Sequence, residues 1–166
     1  MNSLNDMMID QLKDAYSAEK QAIQAMRKMM RKASDAELKK GIEAHIEQSE
    51  EQRDRVEQAL QKLGARPGRK VCEAMRGLVE EGQHEMEEYE KGPVLDLVMV
   101  ASQQRMEHYE IAAYGTMVEL SDALGEKEVA DLLRKTLEEE KTQDELLTEV
   151  TRSSILPAAL KQAEAA

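Results

Sequence analysis

The residues that could do chemistry in this chain are polar ones standing where a helical pattern calls for apolar ones. Glu19 falls between Leu12 and Ile23, and His45 with Ser49 falls between Ile42 and Val56. Glu110 breaks a third stripe, with Glu107 about 60° away and one turn earlier, and Glu140 with Asp144 separates Leu137 from Leu147. A buried carboxylate without a partner is costly, so carboxylates gathered in a core must bind a cation or take up protons. Carboxylate oxygens with one imidazole nitrogen suit hard or borderline ions such as iron or manganese. Glu19, His45, Glu107, Glu110, Glu140 and Asp144 are therefore the candidate metal ligands. A pair of dications would offset about four of their negative charges.

Each break taken singly has a plainer explanation. With 34 acidic residues in 166, some fall on an inner stripe by chance, and Lys20, Arg105 or Lys141 could pair with them. His45 alone would be a hydrogen-bonded core histidine. Four breaks near the middles of four helices can lie at one level, and that coincidence favours a shared site. Glu47 is turned about 160° from Ser49 and ranks below the six. His84 and His108 point away from the stripes and read as surface residues. Cys72 lies on an apolar face as a packed thiol, and the many methionines are adaptable core filler.

The elements that must position these residues follow from the punctuation. A first helix runs from about Ser3 to Ala33, carrying Leu12, Tyr16, Glu19, Ile23, Met26 and Met30 on one face. Ser34 and Glu37 form a capping box for a second helix that ends at Gly64. Its inner stripe runs from Leu38 through Ile42, His45, Ser49, Val56 and Leu60. Pro67-Gly68 marks a loop, and a shorter helix spans Val71 to about Glu90. Gly92-Pro93 opens a fourth segment that Gly125 closes, and a fifth begins near Glu126. From Thr151 the chain reads as a tail in which Pro157 and the Ala-rich stretch after it either fray or form a short helix. The two tight hairpins and the long Gly64–Gly92 crossover predict an all-α, ferritin-like four-helix bundle over residues 1–150, its crossover carrying a short extra helix.

Composition narrows the functions. Eight Gly and three Pro leave little room for the turns of an all-β fold, and the core must be built without Phe or Trp. A net charge of −11 with no basic cluster argues against nucleic-acid binding. The longest apolar run, Leu97–Ala101, is far too short to cross a bilayer. One cysteine and an N-terminus without a basic-then-apolar leader fit a reducing cytoplasm.

Several blocks resemble the YciF/YciE family of ferritin-like proteins. They are Tyr16-Ser17-Ala18-Glu19-Lys20-Gln21, His45-Ile46-Glu47, Lys70–Met75 with Gly77–Gly82, Glu107–Gly115, and Glu139-Glu140-Lys141 with Asp144. The likeness covers about residues 4–150, and the Glu107–Gly115 block is its most specific part. The resemblance implies a bacterial cytoplasmic protein of the stress response, a dinuclear iron or manganese centre on the six residues above, and a homodimer. Tyr16 and Tyr114 flank Glu19 and Glu110 as outer donors or core residues. The di-metal template of a Glu on each of two helices and Glu-x-x-His on the other two is only half met. The second helix offers His45-x-x-Gln48 and the fifth offers Glu140-x-x-Gln143. Three functions compete: a metal-dependent oxidoreductase or scavenger acting on a small oxidant, an iron-binding or storage protein, and a metal-free helical structural or interaction protein.

Overall fold

The computed structural model describes residues 3–164, and helix is the only regular structure among them. The long helices are α1 (Leu4–Lys32), α2 (Ala36–Lys62), α4 (Pro93–Ala123) and α5 (Lys127–Val150), and α3 (Glu73–Glu87) lies in the crossover. Helix α1 packs on α2 and α4, and α5 packs on the same two. The turn between α1 and α2 rests on the start of α4, and the end of α2 meets the start of α5 through a Lys62–Glu128 ion pair. Neighbouring helices therefore run antiparallel, as two hairpins joined by a long crossover require.

The hairpin exits are legible in the residues. Gly64 and Gly125 take positive φ values of 70° and 75°, where a side chain would be strained. Each lets the next residue bond back to the last helical turn: Ala65 N–H donates to the Leu60 carbonyl and Glu126 N–H to that of Ser121.

Two local expectations are corrected. Asp35, not Ser34, caps α2, accepting a 2.8 Å hydrogen bond from Leu38 N–H. The reason is Asp96, buried at the start of α4, whose two carboxylate oxygens accept from the Ser34 and Asp35 amides at 2.8 Å each. That clasp holds the turn extended and leaves Asp35 next to the first helical turn. Helix α3 starts two residues later than expected, because Cys72 N–H donates to Ser17 Oγ and its thiol caps Met75 N–H. The tail takes the helical of its two expected forms. A π turn (Thr151–Ile155) leads into α6 (Leu156–Glu164), and Ile155 is buried in the core. Pro157 accounts for the wide turn, since its ring would collide with the Ser153 carbonyl in a regular α-helix.

The buried apolar side chains form two clusters rather than one. The first gathers Ala22, Ile23, Met26, Ile42, Met99, Met106 and Leu147 with their neighbours. The second gathers Met8, Leu12, Val56, Leu60, Tyr114, Met117 and Leu133. On every long helix the division falls at the predicted polar breaks, so the breaks do share one level. Helix α3 straps α4 closely: a Cβ on Gly82 would lie 3.0 Å from Ser102 Cβ and nearer still to its hydroxyl.

Two stability outcomes follow. Asp96→Ala leaves two amides without their acceptor and lowers unfolding free energy in urea by about 2–4 kcal/mol; an unchanged midpoint would show the clasp to be idle. Gly82→Leu overpacks the α3–α4 contact and costs about 1–3 kcal/mol, partly restored by Ser102→Gly in the same chain.

Candidate metal centre

Between the two apolar clusters lies a polar layer to which each long helix contributes. Glu19 on α1, His45 on α2, Glu107 and Glu110 on α4 and Glu140 on α5 are each at most 3% exposed. His45 Nε2 lies 3.2 Å from Glu107 Oε1 and 3.8 Å from Glu140 Oε2. One ligand atom from each of these three residues falls within 4.8 Å of the others. Its other nitrogen, Nδ1, is 3.0 Å from Gln48 Oε1. With the proton on Nδ1 donated to Gln48, the Nε2 lone pair faces the carboxylates, as a metal-ligating imidazole requires.

The carboxylates are only partly satisfied. Gln103 Nε2 donates to Glu107 Oε1 at 3.2 Å, and Tyr114 donates its hydroxyl to Glu19 Oε1. Among the described residues no donor reaches Glu19 Oε2, Glu107 Oε2, Glu110 Oε1 or either oxygen of Glu140. Buried polar atoms are normally paired, so orphaned oxygens all facing one layer fit a cation. Burial, then mutual repulsion, raises the carboxyl pKa values. Burial and the Glu140 charge push Glu19 up to about 8, and burial pushes Glu107 up to about 7. Glu110 and Glu140 are held well above the ordinary carboxylate range by burial and by the facing carboxylates. After burial, the Glu107 charge is the largest influence raising Glu140.

Five of the six expected ligands meet in this layer, and Asp144 does not. It lies one turn beyond Glu140 but near the surface, where its Oδ1 accepts from Gln104 Nε2 at 3.1 Å and its Oδ2 is 3.2 Å from His108 Nε2. His108 is exposed, as the helical phase predicts. Glu47 is exposed and Cys72 buried. Tyr114 is fully buried on Glu19, whereas Tyr16 is half-buried under the Lys20 ammonium.

Sequence reasoning missed a polar group beside the layer. Arg55, nearly buried on α2, donates to Thr136 Oγ1 at 2.6 Å and to both oxygens of Glu139 at 2.8 Å, and Gln52 Nε2 also donates to Glu139. The signal was present, because Gln52 and Arg55 continue the row of His45 and Ser49 at three- and four-residue steps.

A family model described as Domain of unknown function (DUF892) matches residues 3–160. The chain belongs to the DUF892 family. Protein YciF of Escherichia coli is 39% identical over 156 residues, spanning 93% of this chain and 94% of that one. The crystal structure of the E. coli stress protein YciF matches with a TM-score of 0.86 at 40% identity, covering 90% of this chain and 95% of that one. YcfI from Rhodopseudomonas palustris matches with the same TM-score at 34% identity, over 89% of this chain and 94% of its own. A ferritin-like, diiron-carboxylate protein from Bacillus anthracis shares the fold, with a TM-score of 0.71 at 17% identity over 90% and 99% of the two chains. The fold of this DUF892 chain is thus ferritin-like. No helix among its described residues is long and apolar enough to cross a membrane.

The raised carboxyl pKa values set the pH response of metal-free DUF892 protein. The folded chain keeps protons that the unfolded chain releases near the ordinary 4.5. The resulting stability is fully present below that value, and it is lost as pH rises through about 7 and 8, where Glu107 and Glu19 ionise in the folded state. In chelator the urea midpoint therefore falls across that window, and Glu110→Gln raises the midpoint at its alkaline end. A midpoint that climbs with pH there would refute protonation of the layer.

Proposed function

We propose that this chain holds two iron ions among Glu19, His45, Glu107, Glu110 and Glu140 and uses them to reduce a small oxidant, oxygen or peroxide. The observation that carries this reading is the set of orphaned carboxylate oxygens facing one buried layer beside an imidazole nitrogen. Iron bound there would supply electrons and open coordination positions for the oxidant. The protein's own groups do the rest. Gln48 fixes the His45 tautomer, Gln103 orients Glu107, and Tyr114 orients Glu19. Met26, Met99 and Met106 on one side and Leu12 and Met117 on the other keep bulk water from the layer. The Tyr114 hydroxyl, held on Glu19, puts a proton source at the edge of the layer for the protons that oxidant reduction consumes. Cys72 is the chain's one cysteine, so there is no cysteine pair to carry electrons, and the reductant comes from outside.

Elemental analysis of protein purified without chelators, with peroxide and oxygen consumption assayed on the same sample, tests this. About two iron ions per chain and turnover are expected, and Glu19→Ala or Glu140→Ala lowers both. Manganese in place of iron would change the metal and keep the site. Metal without turnover, in a large shell seen by light scattering rather than the homodimer, would support storage. Equal metal in the variants and the wild type would refute the site, and metal-free wild-type protein would support the structural reading.

A further inference from the structure

The two ion positions in the layer are not chemically alike, and the difference can be read from the residues. His45, Glu107 and Glu140 already bring one ligand atom each within 4.8 Å of one another. Glu19 and Glu110 share the layer but stand outside that group. The symmetric di-metal template places an imidazole three residues after the α5 glutamate and a glutamate three residues before the α2 histidine. Here Gln143 takes the first of those places and Ile42 the second. Glu107, one turn before Glu110, adds a carboxylate on the His45 side instead, 3.2 Å from its Nε2. One side of the centre keeps its nitrogen and recovers its charge, whereas the other loses its nitrogen with nothing in exchange.

One further feature weakens the Glu19 side. Its Oε1 is engaged by the Tyr114 hydroxyl, which leaves Oε2 free.

We propose that the centre fills in two unequal steps: His45, Glu107 and Glu140 take the first ion tightly, and Glu19 with Glu110 form a weaker, all-oxygen position that takes a hard divalent cation. This rests on the metal-binding reading above. Nitrogen-bearing sites favour the later first-row ions, whereas purely carboxylate sites suit manganese, magnesium or calcium. At limiting metal the protein is therefore mononuclear, and mixed occupancy is its natural state when two kinds of ion are present.

Anaerobic titration of chelator-treated full-length protein with Co²⁺, and separately with Mn²⁺, tests the inference. Two binding steps are expected, with dissociation constants at least about tenfold apart. A paramagnetically shifted, exchangeable imidazole N–H proton appears with the first equivalent of Co²⁺, and the second equivalent brings no further imidazole signal. Glu19→Gln combined with Glu110→Gln abolishes the second step and leaves one Co²⁺ per chain. His45→Gln weakens the first step by at least about 100-fold, more than loss of an outer partner usually costs. The wild-type proton signal decides the matter even if His45→Gln does not fold. Two ions entering in one cooperative step, or loss of the first ion in the Glu19→Gln, Glu110→Gln protein, would overturn the asymmetry alone. Absence of any binding to the wild type would overturn the metal reading together with it.

Discussion

Mutual repulsion among buried carboxyl groups is the constraint around which this bundle is built. Glu19, Glu107, Glu110 and Glu140 lie in one buried layer, and their charges cannot all be expressed there without a cation. A layer of this kind opposes folding, so stability has to come from either side of it. The apolar clusters above and below supply the burial, and the ends of the helices are tied independently of the middle. The Asp96 clasp joins one hairpin turn to the start of α4, and α3 is pressed along α4 at Gly82 and Ser102. The polar layer is thus held by groups that take no part in it, which is how a pre-organised site is kept from relaxing.

Much of this was legible because helical periodicity reports phase directly. The stripes through Leu12, Ile42, Met106 and Leu133 located the core, and their breaks located the layer at one level. Phase alone could not separate Asp144 from Glu140, which lie one turn apart on the same face. What separates them is a competitor on another helix: Gln104 and His108 claim the Asp144 oxygens near the surface. The α2 cap was misplaced for a similar reason. Ser34 and Glu37 satisfy the local motif, but a carboxylate 62 residues away holds the Ser34 amide. Partners distant in sequence leave no mark in local pattern, and both placements are decided there.

The Arg55–Glu139 pair shows a different blind spot. Arginine on a half-inner position normally extends to water, so composition marks it as surface. Here Thr136, Glu139 and Gln52 form a polar pocket around it between α2 and α5. The methionines fill the opposite role. Met26, Met99, Met106 and Met117 close around the layer, and Tyr114 is the largest fully buried side chain among the described residues. Flexible thioethers tile the irregular edge between apolar packing and a polar plane more readily than rigid rings would.

The π turn at Thr151–Ile155 matters beyond accommodating Pro157. One residue more than an α-helical turn advances the heading of the chain by about 100°. Leu156–Glu164 is therefore rotated about the helix axis relative to α5. The turn itself buries Ile155, and α6 beyond it lies beside α4. The orientation of the last helix is a matter of residue count rather than residue type. Gaining or losing one residue between Val150 and Pro157 would turn a different face of α6 to α4, while leaving the four-helix bundle and its polar layer where they are.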